Sequence, residues 1–189
     1  MKIVAFQGSP RPSGNTEILL EEALKPVKKA GHEVVLFKLN YMRIKPCQDC
    51  GSCEKSGQCI INDDMGEIYD AIRSADRIIL ASPIFFFALS AQVKAMIDRC
   101  QAFWCEKYLL KRSIAAGPHG RKGLLLLVGG MKKEIGATCS DATATAFFRT
   151  VSVPKHEVVS ALGVDAKGAA LEHPEALKDA LEAGKRLVA

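Results

Sequence analysis

Five short apolar runs punctuate the chain, with amphipathic segments between them, and that alternation predicts strands of a parallel sheet joined by crossover helices. Lys2 to Phe6 is the first run, and it stops abruptly at a polar loop, Gln7 to Thr16. From about Thr16 to Lys29, the residues Ile18, Leu19, Ala23, Leu24 and Val27 share one helical face. Gly31 ends that pattern, and His32 to Leu39 alternates as a second strand. Asn62-Asp63-Asp64 reads as a cap for a helix over Met65 to Ser74, with Met65, Ile68, Tyr69 and Ile72 facing inward. Ile78 to Ala81 is continuously apolar, as expected of a central strand covered on both faces. A further helical pattern runs from Ser90 to about Trp104 through Val93, Met96, Ile97 and Cys100. Gly123 to Val128 and His156 to Ala161 complete the strands. A helix containing Ala142 to Arg149 and one introduced by Pro174 complete the helices. The expected architecture is α/β, a three-layer sandwich on a five-stranded parallel sheet of order 2-1-3-4-5.

In such a sheet the loops after the strands gather at one edge, where ligands bind. The first loop, Gly8-Ser9-Pro10-Arg11-Pro12-Ser13-Gly14-Asn15-Thr16, runs from a strand into a helix N-terminus, a geometry that aims free amides and a positive dipole at an anion. Ser9, Ser13, Asn15 and Thr16 add donors and Arg11 adds charge. The loop matches neither the nucleotide triphosphatase pattern nor the dinucleotide fingerprint. A hydroxyl-rich loop of this kind suits a terminal phosphomonoester; the alternative is a polar turn capped by Asn15 or Thr16. The loop after the third strand, Ser82 to Ser90, carries Phe85-Phe86-Phe87, which suits an apolar wall for a planar ring or a packing surface between helices or subunits. Gly129-Gly130-Met131 follows the fourth strand at the same edge.

Four thiols, Cys47, Cys50, Cys53 and Cys59, fall within thirteen residues of the connection after the second strand. Two-residue spacers let short turns aim sulfurs at one centre, and a triple run at that spacing suits a cubane iron–sulfur cluster better than the paired motifs of zinc sites. Zinc, a redox-paired set of thiols and an unmetallated loop are the alternatives. Gly51 and Gly57 allow the unusual backbone angles of a chain wrapping such a centre. Cys100 and Cys105, distant in sequence, read as packing thiols.

Composition narrows the chemistry further. With 189 residues and 48% hydrophobic content, one domain with a full core is expected. No apolar stretch approaches membrane-spanning length and no secretory leader is visible, so the expectation is a cytoplasmic protein without membrane contact. Seven cysteines in a reducing compartment favour metal or redox work over disulfides. A net charge of +5 is too diffuse for a nucleic-acid partner. Lys107 to Lys122 reads as a solvated loop, or as an electropositive lip through Lys107, Lys111, Arg112, Arg121 and Lys122.

The first loop, the cysteine run, Asp63-Asp64-Met65, Ser82-Pro83-Ile84-Phe85-Phe86 and the stretch from Lys94 to Asp98-Arg99 together resemble the flavodoxin-like NADPH-dependent FMN reductase superfamily, and within it the iron–sulfur flavoproteins. The resemblance implies one flavodoxin-like FMN-binding domain over residues 1–189 with a cysteine-rich insertion at about 44–62. It implies that Ser9, Arg11, Ser13, Asn15 and Thr16, around Gly14, hold the FMN phosphate. Pro83, Ile84, Phe85, Phe86 and Phe87 then border the flavin ring, with Gly129 and Gly130 beside them, and Cys47, Cys50, Cys53 and Cys59 hold a [4Fe-4S] cluster. The expected function is electron relay between a donor such as ferredoxin, the cluster, FMN and a small acceptor, with no side chain singled out as an acid or base. An NAD(P)H-dependent FMN or quinone reductase with a structural, zinc-bound or vacant cysteine loop is the second reading, and a non-enzymatic electron carrier or redox sensor the third. A homodimer or homotetramer is expected, because a small domain struggles to cover the phenylalanine run.

Overall fold

The computed structural model of the protein describes residues 1–189 except Ser113 and Ala116. Strand β1 (Lys2–Gln7) pairs in parallel with β2 (Glu33–Lys38) on one side and with β3 (Arg77–Phe85) on the other. Beyond β3 lie β5 (Lys122–Gly129) and β6 (His156–Leu162), both parallel. Counting parallel strands only, the order is the expected 2-1-3-4-5. One strand was not expected: β4 (Ala88–Leu89) folds back antiparallel on the end of β3, pairing Ile84 with Leu89 and Phe85 with Ala88. The sequence reading ended the third strand at Ala81, but Ser82 to Phe85 continue it, and the chain reverses at Phe86-Phe87.

Alternate residues of the buried strands face opposite layers, as a period of two requires. Val4, Phe6, Ile78, Leu80, Leu125 and Leu127 point to one side, where α3 (Met65–Ser74), α4 (Ala91–Arg99) and α6 (Ile135–Thr150) cover them. Ile3, Ala5, Ile79, Ala81, Leu124 and Leu126 point to the other, under α1 (Asn15–Lys29) and α7 (Pro174–Val188). Helices α1 and α7 touch so closely at Gly184 that a Cβ there would lie 2.0 Å from the Ala23 carbonyl oxygen.

Between β2 and α3 the chain makes a 3-10 turn over Leu39–Tyr41 and then, in the cysteine-rich connection, the short helix α2 (Ser52–Ser56). The single helix expected over Ser90 to Trp104 is broken. After α4 ends at Arg99, α5 (Gln101–Trp104) leads into a π-helical turn over Cys105–Leu109, which occupies the start of the stretch read as irregular. Arg121 does not belong to the electropositive lip read from the sequence, whereas Lys111, Arg112 and Lys122 are exposed. The Arg121 guanidinium is buried and donates to the carbonyls of Val151 and Arg73, and Arg112 and Lys107 donate to Ser56 O and Arg149 O. Ser113 and Ala116, inside that stretch, lie outside the described residues. Among the described residues no helix is long and apolar enough to cross a membrane.

Candidate functional site

The loop from β1 to α1 is pinned to the rest of the sheet edge. Gly8 N–H donates to Ala81 O at 2.8 Å, and the Ser90 hydroxyl donates to Gly8 O at 2.7 Å while capping α4 by accepting from Val93 N–H. A Cβ at Gly8 would stand 2.1 Å from Val93 Cγ2, so only glycine permits this approach. Helix α1 begins after Gly14 without a side-chain cap, which sets aside the reading of Asn15 or Thr16 as an ordinary cap. Its first internal bond runs from Ile18 N–H to Gly14 O, leaving the earlier amides free for an anion. The Thr16 hydroxyl has no hydrogen-bond partner among the described residues, although Thr16 is only 2% exposed and lines the cleft.

Ser9, Arg11 and Asn15 line the same cleft with Thr16, but each is partly committed to the protein. Ser9 Oγ accepts from Arg11 N–H at 3.2 Å. Arg11 donates one guanidinium hydrogen to Asp165 O at 3.2 Å. Asn15 donates to Ala166 O and accepts from Ala170 N–H, tying α1 to the segment after β6. Ser13 and Gly14 do not line the cleft; Ser13 sits at φ 51° and donates its amide to Glu17, whose carboxyl is held below its ordinary pKa chiefly by Lys38. The free amides, the Thr16 hydroxyl and the remaining Arg11 donors fit a phosphate group.

Pro83, Ile84 and Phe85 continue this cleft toward a wider groove of about 540 Å³ bordered by Phe86, Phe87, Gly129 and Gly130. The two share Ile84, Phe85, Gly130 and Asp165, so they form one continuous trough along the carboxyl ends of β1, β3 and β5. Its walls are mostly apolar, which suits a planar ring system. Phe86 is fully exposed, Phe85 and Phe87 are 43% and 44% exposed, and Phe86 and Phe87 both adopt positive φ, 49° and 62°. Leu162, Val164 and Asp165 also line the trough and were not singled out in the sequence, although they follow the last strand at the same edge.

The cysteine connection brings Cys47, Cys50, Cys53 and Cys59 to the wall of one pocket. Gly51 and Gly57 flank α2 at φ 70° and 77°, the left-handed angles expected for a loop that wraps a centre. Among the described residues no three Cys, His, Asp or Glu side chains are grouped as the ligands of a single metal ion. The donor set around the pocket is nonetheless thiol-rich, the soft chemistry that zinc and iron–sulfur clusters take. Cys50 is exposed and the Ser52 hydroxyl draws its thiol below the ordinary pKa. Cys53 is pushed up to about 12, first by burial and then by a second sulfur, because Cys105 Sγ lies 3.5 Å from Cys53 Sγ. Cys105, distant in sequence and buried as a packing thiol should be, also lines the same pocket. Cys100, by contrast, is buried in the core, where burial raises its pKa.

Arg99 holds the loop closed. Its side chain is fully buried and lines the pocket, and it donates to Asp63 Oδ2 at 2.6 Å and Asp63 Oδ1 at 3.1 Å. It also donates to Lys45 O at 2.8 Å and Ile61 O at 3.3 Å, so one guanidinium ties both ends of the cysteine segment together. Burial alone would raise the pKa of Asp63, but Arg99 and the amides of Lys45 and Met65 outweigh it and hold the carboxyl below its ordinary value. Asp63, one residue before the N-cap Asp64, accepts from the first amide of α3, whereas Asp64 itself makes no side-chain cap bond; the pairing with Arg99 was not read from the sequence.

A doubly wound parallel sheet with an anion cradle and an apolar trough at its carboxyl edge defines the flavodoxin-like class. Residues 1–165 match the NADPH-dependent FMN reductase family, and the chain belongs to that family. It is 39% identical over 128 residues to an iron-sulfur flavoprotein of Archaeoglobus fulgidus, covering 68% of this chain and 62% of that protein. It is 42% identical over 99 residues to an iron-sulfur flavoprotein of Methanocaldococcus jannaschii, covering 52% and 51%. The chain therefore spans between half and two thirds of the length of these relatives. Among solved structures it is similar to an NAD(P)H:quinone oxidoreductase from Methanothermobacter marburgensis, with a TM-score of 0.76, 18% identity, and coverage of 99% of this chain and 96% of that one.

Proposed function

We propose that the chain is an FMN-dependent redox protein of the iron–sulfur flavoprotein type, which passes electrons between a one-electron donor such as ferredoxin, a [4Fe-4S] centre, FMN and a small acceptor. The carrying observation is the convergence of Cys47, Cys50, Cys53 and Cys59 on one pocket of a chain that also presents an anion cradle and apolar trough. FMN exchanges electrons singly or in pairs and an iron–sulfur cluster exchanges them singly, so together they match a one-electron donor to a two-electron acceptor. In this reading residues 1–189 work as one flavin-binding unit, and the cysteine-rich insertion at about 44–62 is its second centre.

The residues divide the work by chemistry. The first amides of α1, the Thr16 hydroxyl, Ser9 and Arg11 hold the phosphate, while Asn15 fixes the helix start against Ala166 and Ala170. Ser13 and Gly14 shape the loop from outside the cleft. Pro83 to Phe87, Gly129 and Gly130 border the ring and keep water from its buried face. The cradle is built for a terminal phosphate, so the flavin released from purified protein is expected to be FMN; finding FAD instead overturns the assignment. Thr16→Ala is expected to weaken FMN binding by about 1–3 kcal/mol, the cost of a lost donor to a charged group, in a flavin-fluorescence titration. Unchanged affinity would move the phosphate elsewhere.

A second reading, NAD(P)H-dependent reduction of FMN or quinones, draws on the open side of the trough, where exposed Met131 and Lys133 leave space above the ring wall. The exposed Phe85, Phe86 and Phe87 also call for a partner surface, and a homodimer or homotetramer covers them. Light scattering of the flavin-loaded chain is expected to give two or four copies, and Phe86→Asp to shift the population toward monomer. A wild type that is monomeric at every concentration contradicts the assembly.

A further inference from the structure

We propose that Cys105 is a reserve ligand of the thiolate centre, placed to take over the metal position of Cys53. The inference rests on reading the cysteine loop as an iron–sulfur site, and it concerns a residue outside that loop. Cys105 lies in the π-helical turn after α5, is fully buried, and lines the pocket shared by the four clustered thiols. Its sulfur is in contact with that of Cys53 at 3.5 Å, and among the described residues its one other polar neighbour is the Gln101 amide at 3.7 Å. At this separation the two sulfurs lie about as close as two thiolates that share one metal through bonds of about 2.3 Å, so Cys105 is within reach of a metal held by Cys53.

The two sulfurs arrive by different routes. Cys53 belongs to the short helix α2 inside the loop, whereas Cys105 is carried by the helical segment whose neighbour Phe103 packs in the core. The Cys105 sulfur is therefore held by the core rather than by the loop. In the exchange, the metal–sulfur bond of Cys53 breaks and one to Cys105 forms. The Cys105 proton passes to the departing Cys53 sulfur, so no electrons change hands.

Full-length wild type, Cys53→Ala, Cys105→Ala and the double variant, each reconstituted anaerobically with ferrous iron and sulfide, test this. Bound FMN serves as the check on folding, and iron content and the electron paramagnetic resonance spectrum of the reduced protein are the readouts. Cys53→Ala is expected to keep iron close to the wild-type level with a shifted spectrum, Cys105→Ala to match wild type, and the double variant to fall to background. Cys53→Ala as empty as the double variant, with FMN still bound, overturns the reserve role. Should the alanine variant not fold, Cys53→Ser with and without Cys105→Ala gives the same comparison. Wild type that binds FMN but takes no iron overturns the underlying iron–sulfur reading, an outcome distinct from selective loss in the single variant.

Discussion

Arg99→Met is expected to lower stability by about 3–5 kcal/mol, the usual cost of stranding one member of a buried ion pair. The Arg99 side chain is fully buried and that of Asp63 is 4% exposed, so the carboxylate left behind gains no water. The same change frees Lys45 O and Ile61 O and lets the two ends of the cysteine segment separate. Urea unfolding at neutral pH measures the loss, and Arg99→Met combined with Asp63→Leu is expected to recover part of it, because no charge is then left unpaired. The pair also predicts a pH dependence. Asp63 titrates below its ordinary value in the folded chain, so its contribution is fully present above about pH 4, the unfolded carboxylate range, and is lost as pH falls through the lower folded value. The wild type should lose stability over that acid window and Arg99→Met should show a flatter profile there. An unchanged midpoint in the variant at neutral pH would remove Arg99 from its role as the clamp.

Cys59→Ala is expected to abolish iron binding and ferredoxin-driven reduction while leaving FMN in place. The phosphate cradle is built from the connection between β1 and α1, and the thiols from the connection between β2 and α3, so neither supplies the other's ligands. Hydride from NAD(P)H reaches a flavin directly, whereas a one-electron donor acting through the thiolate centre needs that centre intact. Any NAD(P)H-driven reduction present in wild type should therefore survive in Cys59→Ala. Anaerobic reduction followed at the flavin absorbance separates the two donors. Equal rates with ferredoxin in both proteins contradict the relay.

The sheet order was legible because continuous apolar runs such as Ile78 to Ala81 and Gly123 to Val128 have few alternatives to a doubly covered strand. The helix between Ser90 and Trp104 was less so, since its apolar spacing runs unbroken through the junction at Cys100. That junction and the π-helical turn decide where Cys105 points, and local periodicity carries no trace of either. Arg99 shows the same limit. Its partners Lys45, Ile61 and Asp63 lie 36 to 54 residues away in sequence, and only the crossover of the chain brings them together. Residue types read the polar loop after β1 as an anion cradle, but those types could not tell which side chains face the cleft. Ser13 turns outward in a left-handed conformation and Asn15 is spent on Ala166 and Ala170, leaving Thr16 as the free hydroxyl at the helix start. The phenylalanine run was read as loop, yet Phe85 ends β3, and only the reversal at Phe86-Phe87 lifts those rings into solvent beside the trough.

Metal and flavin analysis of protein purified and reconstituted without oxygen tests the two-centre account most directly. About four irons and a matching amount of sulfide per chain, the content of one cubane cluster, together with one FMN, is the result expected of a chain in which Cys47, Cys50, Cys53 and Cys59 line a single pocket and the sheet edge carries an apolar trough. One FMN with a single zinc, or with no metal, would contradict it and leave a flavin reductase whose cysteine loop serves structure alone.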